Sequence, residues 1–267
     1  KAEFKHLVPI RPNGAKPPLF CLHSGGTHFF YYNQFANHLK EDRPIYALQA
    51  SGHEDELVLH RSVNEMAVSF VREIKKVQPH GPYHFIAYCY NTAIGMEVVR
   101  LLDETADKAN LIVADTMASY LSLFAASRTK VRTAAFFERF KKKPVYTLKR
   151  LIKSKLVYPL KEKYKTFASS GSQKLIRILH ENHIKIYEKY DWKPIRSDIR
   201  LLLTEKPGTD FNGKVINSWN KMTTKDVVIV PVEGHHDKLF EDLKMVRKTA
   251  IAVDSCMTEF ETSQEKG

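Results

Sequence analysis

The chain has 267 residues, 43% of them hydrophobic, and a formal net charge of +12. That is enough for one large domain with a real core, and no apolar run nears the roughly 20 residues of a membrane span, so no membrane association is expected. Three widely spaced cysteines, Cys21, Cys89 and Cys256, argue against a disulfide framework and for a reducing, cytoplasmic setting, and none has zinc-ligand spacing, so no metal is expected.

In chain order, residues 6–9 read as a short edge strand and 11–18 as a Pro/Gly turn region. Residues 19–22 are wholly apolar, a buried strand that runs into His23-Ser24-Gly25-Gly26-Thr27. A glycine pair there lets backbone N–H groups turn towards a ligand, and it equally makes an ordinary tight turn. The aromatic stretch 28–39 has a helical pattern, and 45–49 is a further strand. Ser62 and Glu65 fit a capping box. The helix behind them carries Met66, Phe70, Ile74 and Val77 on one stripe, and Pro79 and Gly81 stop it.

The most informative stretch comes next. An apolar run over 83–87 ends at Cys89, and helical spacing through Ile94, Val98 and Leu102 begins at Asn91. Strand, one exposed residue, helix is the layout of a nucleophile elbow, usually spelled Gly-x-Ser-x-Gly. Here it reads Ala87-Tyr88-Cys89-Tyr90-Asn91. Ala87 is still small, and Gly95, one turn on, is expected to relieve crowding between helix and sheet. Asn91 is larger than the glycine it replaces, and the sequence offers no account of how it fits. A cysteine at a helix N-terminus sits where free N–H groups favour negative charge. A cysteine between two tyrosines also reads simply as a small buried hydrophobe.

An apolar strand over 110–114 then ends at Asp115. Strands alternating with helices of this length imply a parallel, doubly wound sheet. The alternation breaks over about 117–192, which reads as a basic, helical lid inserted over the active face. Within it, residues 128–165 hold fourteen Lys/Arg against two acids, a balance of +12. No nucleic-acid motif accompanies that charge, so a solvated helical face or an acidic protein partner is expected instead. Alternation resumes with a strand over 199–204, a helix near 215–222 and a last strand over 227–230. Gly234-His235-His236 and a closing helix follow.

Cys89, Asp115 and His236 thus come in the nucleophile–acid–histidine order of α/β-hydrolases, whose active groups meet above the carboxyl ends of the strands. In such a triad His236 takes the thiol proton, and Asp115 holds the imidazole in the right tautomer. An Asp115 carboxylate oxygen should then lie within about 3.2 Å of a His236 ring nitrogen.

With these residues in view, the chain resembles the thioesterase domain that ends many nonribosomal peptide synthetases and polyketide synthases. The resemblance covers nearly the full length. It rests on Leu19-Phe20-Cys21-Leu22-His23-Ser24-Gly25-Gly26, on Pro44-Ile45-Tyr46-Ala47-Leu48-Gln49-Ala50, on Gln78-Pro79-His80-Gly81-Pro82-Tyr83 and on Gly234-His235-His236. It implies a single α/β-hydrolase domain over 1–267 with a lid, and a catalytic triad of Cys89, Asp115 and His236. It also implies backbone oxyanion donors at Tyr90 and Gly25. The substrate would be an acyl or peptidyl chain brought on the phosphopantetheine of a carrier protein, with no bound cofactor and no nucleic-acid partner. The start at Lys1 and the lack of a signal-peptide pattern suggest a monomeric domain cut from a longer polypeptide that includes the carrier. Cysteine for serine is a minority variant in that family. Relatives that edit stalled carriers place the acid after a later strand, which makes Glu205 and Asp210 rivals to Asp115. A non-catalytic binding module is the reading from a different class.

Overall fold

The computed structural model describes residues 4–23, 29–50, 59–118, 171–204 and 211–265. Seven strands lie in these residues: β1 (Leu7–Arg11), β2 (Leu19–Leu22), β3 (Ile45–Leu48), β4 (Tyr83–Tyr88), β5 (Ala109–Ala114), β6 (Asp198–Thr204) and β7 (Val227–Val232). They form one sheet in the order β1-β3-β2-β4-β5-β6-β7. All pairings are parallel except β1 with β3, which is antiparallel at the edge. Pro9 and Pro231 fall on the two edge strands, where a missing N–H is tolerated.

The central strands are mostly apolar because both their faces are covered, with His84, Asn110 and Arg200 as buried polar exceptions. On one face, α2 (Val63–Val77) and α3 (Thr92–Glu104) pack Met66, Phe70, Ile74, Ile94 and Val98 against Leu22, Phe85 and Leu111. On the other, α1 (Tyr31–Ala36) and the long α6 (Leu243–Glu265) bring Tyr32, Phe35, Val246 and Met257 onto Ile86 and Ile112. Strand order reverses between β2 and β4, so a crevice is expected above their carboxyl ends. The loop after β2 and the turn after β4 both start there.

Gly95 faces the sheet where space is short. A Cβ built there would stand 3.0 Å from Leu111 Cδ1 and Leu22 Cδ1 and 3.2 Å from Ala87 Cβ. The methyl group that Ala87 adds to the elbow is thus accommodated by a missing one on α3, as the sequence suggested.

The capping box is half formed. Ser62 Oγ accepts the Glu65 N–H at 3.1 Å, but the Glu65 carboxylate takes the N–H of Arg61 (2.7 Å), one residue earlier than a reciprocal box requires.

Boundaries moved elsewhere. Within 29–39 the helix is α1, and the last strand runs on past Pro231, since among the described residues β7 pairs with β6 alone and its outer side needs no N–H. The helix expected near 215–222 is Phe211–Trp219, anchored by the Trp219 Nε1–H donating to the Thr116 carbonyl at 2.5 Å. Of the expected lid, Gly171–Glu188 is helix α4, so the Phe211–Trp219 helix is α5. Residues 119–170, with the whole basic window, lie outside the described residues. No helix among the described residues is long and apolar enough to cross a membrane.

Candidate active site

Cys89 stands at the carboxyl end of β4 with φ of 63°. This left-handed conformation costs a non-glycine residue about 1–3 kcal/mol and persists only where the surroundings enforce it. Here two threonines do so. The Cys89 N–H donates to Thr116 Oγ1 at 3.1 Å, and the Thr92 hydroxyl donates to the Cys89 carbonyl at 3.1 Å. A 3-10 turn over Cys89–Asn91 leads into α3. Cys89 is half-buried, whereas Cys21 and Cys256 are buried and their thiols are pushed up by it, Cys256 to about 12.

Asn91 is fully buried, and its accommodation is now plain. Its side chain does not cap α3; its Oδ1 accepts the hydroxyl of Tyr187, on α4, at 2.7 Å. A fully buried tyrosine thereby ties α4 to the turn that carries Cys89.

Asp115 ends β5, one register step beyond the pair Tyr88 and Ala114, so it neighbours Cys89 across adjacent strands. Its backbone is also left-handed, with φ of 46°, a region that Asp enters more readily than most residues. The carboxylate is buried and accepts twice from Thr204: the N–H at 2.9 Å and the hydroxyl at 2.8 Å. His236 Nδ1 lies 2.9 Å from the Asp115 backbone carbonyl and 3.4 Å from its Oδ2. The expected carboxylate contact of 3.2 Å is therefore missed, because Thr204 holds the carboxylate back and the carbonyl takes the Nδ1–H first.

Burial opposes charge on His236. Hydrogen bonds to Asp115 and to the Cys89 side chain, with the charges of both, outweigh it and raise the imidazole to about 9. An imidazolium beside Asp115 follows at neutral pH.

Linkage turns this into a stability prediction. A folded-state value above the ordinary 6.5 means that His236 stabilises the fold fully below pH 6.5 and that this stabilisation is lost as pH rises through about 9. Urea midpoints should fall between pH 6.5 and 9.5 more steeply for the parent than for His236→Asn. Equal slopes would mean that the ion pair does not form.

Of the expected site residues, Cys89, Asp115 and His236 are brought together. Tyr90 lies in the turn directly after Cys89, while Gly25, Glu205 and Asp210 lie outside the described residues. Thr116, Thr204, Tyr88 and Tyr187 were not singled out from the sequence. Thr116 follows β5 and Thr204 ends β6, both at the carboxyl edge of the sheet. No group of three or more His, Cys, Asp or Glu side chains among the described residues is arranged to hold a metal ion.

The family model described as Thioesterase domain matches residues 17–252. Among curated proteins the chain is similar to malpinin synthetase of Mortierella alpina, 32% identical over 138 residues that make up 51% of this chain and 2% of that protein. It is also similar to a dimodular nonribosomal peptide synthase of Bacillus subtilis (strain 168), 33% identical over 107 residues, 40% of this chain and 4% of that protein. The chain thus spans only a few per cent of the length of these relatives. Its structure is similar to the NocB thioesterase domain from the nocardicin cluster, with a TM-score of 0.69, 16% identity, and 95% of this chain and 99% of that chain covered. It is likewise similar to a four-domain nonribosomal peptide synthetase, with a TM-score of 0.67, 20% identity, and 94% and 20% covered. At such identities the likeness is one of fold, that of an α/β-hydrolase.

Proposed function

The chain belongs to the thioesterase domain family, and from that premise we propose that it releases an acyl or peptidyl chain from a carrier-protein phosphopantetheine thioester through an acyl-enzyme on Cys89. The observation that carries this reading is that Cys89, on its left-handed turn after β4, and His236, held through Nδ1 by the Asp115 carbonyl at 2.9 Å, meet at the carboxyl edge of the sheet.

The Cys89 thiolate adds to the thioester carbonyl carbon. Backbone N–H groups of Tyr90 and Gly25 receive the oxyanion. As the carbon–sulfur bond to pantetheine breaks, the His236 imidazolium gives its proton to the departing sulfur. The thiolate has then become a thioester, so the hydrogen bond and charge by which Cys89 held the imidazolium are gone. His236 becomes a readier base for the second step, taking a proton from water or from an amine or hydroxyl of the substrate as that group attacks. Water gives a free acid, and an internal nucleophile gives a ring. Thioester-to-thioester exchange is nearly isoenergetic, so the acyl group stays activated until it is released. The curated relatives are far longer than this chain, and we take the carrier to be part of the same polypeptide.

The test is intact-protein mass after exposure to a small acyl thioester that mimics pantetheine, with released product measured alongside. An added acyl mass on the Cys89 peptide, or released product that disappears when Cys89 is alkylated beforehand, is the expected result. With neither adduct nor product, the domain would be a binding module.

A further inference from the structure

We propose that Tyr88 is a positioning residue for His236, its ring supporting the imidazole face and its hydroxyl fixing the backbone that carries it. This rests on the proposed role of His236 as proton carrier. The Tyr88 hydroxyl donates to the His236 carbonyl at 2.7 Å, and the two ring centroids stand 4.8 Å apart with the planes tilted by 34°. Each contact joins Tyr88, the last residue of a central strand, to a loop that starts from the far edge.

The loop has need of it. His236 follows β7, and the sheet order puts β6 and β5 between β7 and β4. Three strand spacings are about 14 Å, and the four residues from Val232 to His236 span at most about 14 Å when extended. The ties of this loop lie on either side of the His236 ring: Glu233 pairs with Lys248, and the N–H groups of Lys238 and Leu239 donate to the His235 and His236 carbonyls. The Asp115 carbonyl holds Nδ1 at 2.9 Å, but the carboxylate adds only a long contact of 3.4 Å, so one edge of the ring is held and its face is left to Tyr88. Tyr88 in turn is fixed: the rings of Phe240 and Tyr31 pack on it at 5.0 and 6.4 Å. An aromatic face against an imidazolium also favours the charged form. The titratable groups around this pair are Asp115 and Cys89 beside His236, and Cys89, Asp237, Tyr31 and Glu241 around Tyr88. Burial foremost, with those groups, pushes the Tyr88 phenol up, so it stays a neutral donor across the working range.

The experiment separates the two contacts. In the parent, the rate of acylation by a small acyl thioester is followed from pH 6 to 10.5, and deacylation at pH 7.5. Tyr88→Phe keeps the ring and loses the tether: deacylation should slow by about tenfold with KM little changed and the alkaline limb where the parent has it. Tyr88→Leu loses both: the alkaline limb should also move down by about half a pH unit. A limb and deacylation rate equal to the parent's in both variants would overturn the proposal, as would losses that only track a fall in Tm. Should Tyr88→Leu fail to fold, the deacylation rate of Tyr88→Phe decides alone. A parent that is never acylated at Cys89 would instead sink the proposed function, and the two failures are thus distinct.

Discussion

Cys89→Ala should form no acyl-enzyme, and turnover of an acyl thioester should fall by about 10⁴–10⁶, the scale on which removal of a nucleophile from a triad acts. No other thiol can stand in. Cys21 and Cys256 are buried, and burial holds both in the protonated form. The variant should keep its fold, because alanine removes only a half-buried sulfur. Cys89→Ser is the more instructive partner. A hydroxyl can still hydrogen-bond the imidazole but carries no negative charge to raise His236, so His236 must act as a neutral general base towards it. Slow turnover with an optimum shifted in pH is expected. Accumulation of the parent's adduct by Cys89→Ala, seen by intact mass, would place the nucleophile elsewhere.

Asp115→Asn is expected to lower the rate by about 10²–10³, less than the roughly 10⁴ seen where a carboxylate alone sets the tautomer of a triad histidine. The difference comes from geometry. The backbone carbonyl of residue 115 receives His236 Nδ1–H at 2.9 Å and survives the substitution, so the tautomer is kept while the charge is lost. Asparagine also tolerates the left-handed backbone of this position. The protein should fold, and kcat should carry the loss. If Asp115→Asn costs less than tenfold while Asp210→Asn costs far more, the acid is the later one.

The elbow, the order of the triad and the doubly wound sheet were legible because each is written locally: an apolar run, one residue, then a helical stripe. The proximity of Cys89 and Asp115 follows from strand alternation, since consecutive parallel strands end side by side. Thr204 was not legible. Its two bonds to Asp115 depend on how far β6 reaches beyond β5, a tertiary register that no local pattern encodes. Asn91 defied explanation for a similar reason, as its partner Tyr187 lies 96 residues away, on a helix that returns from the inserted segment. The capping box was read correctly at Ser62 and misread at Glu65, where the flexible carboxylate found the neighbouring N–H instead.

The backbone at Cys89 and Asp115 limits which chemistries this scaffold can exchange. With φ of 63° and 46°, both positions exclude β-branched side chains, whose Cβ substituents clash with the backbone in that region. Threonine is therefore closed to this site as a nucleophile, although its hydroxyl is of the same chemical kind as serine's. The replacements open to position 89 are unbranched: Cys and Ser as nucleophiles, Ala, Gly and Asn as inert occupants. At position 115 the left-handed bend favours Asp over the longer Glu, which cannot hydrogen-bond its own turn as readily. Descent and engineering alike thus move along a short alphabet here, one drawn by backbone torsion before any reaction is considered.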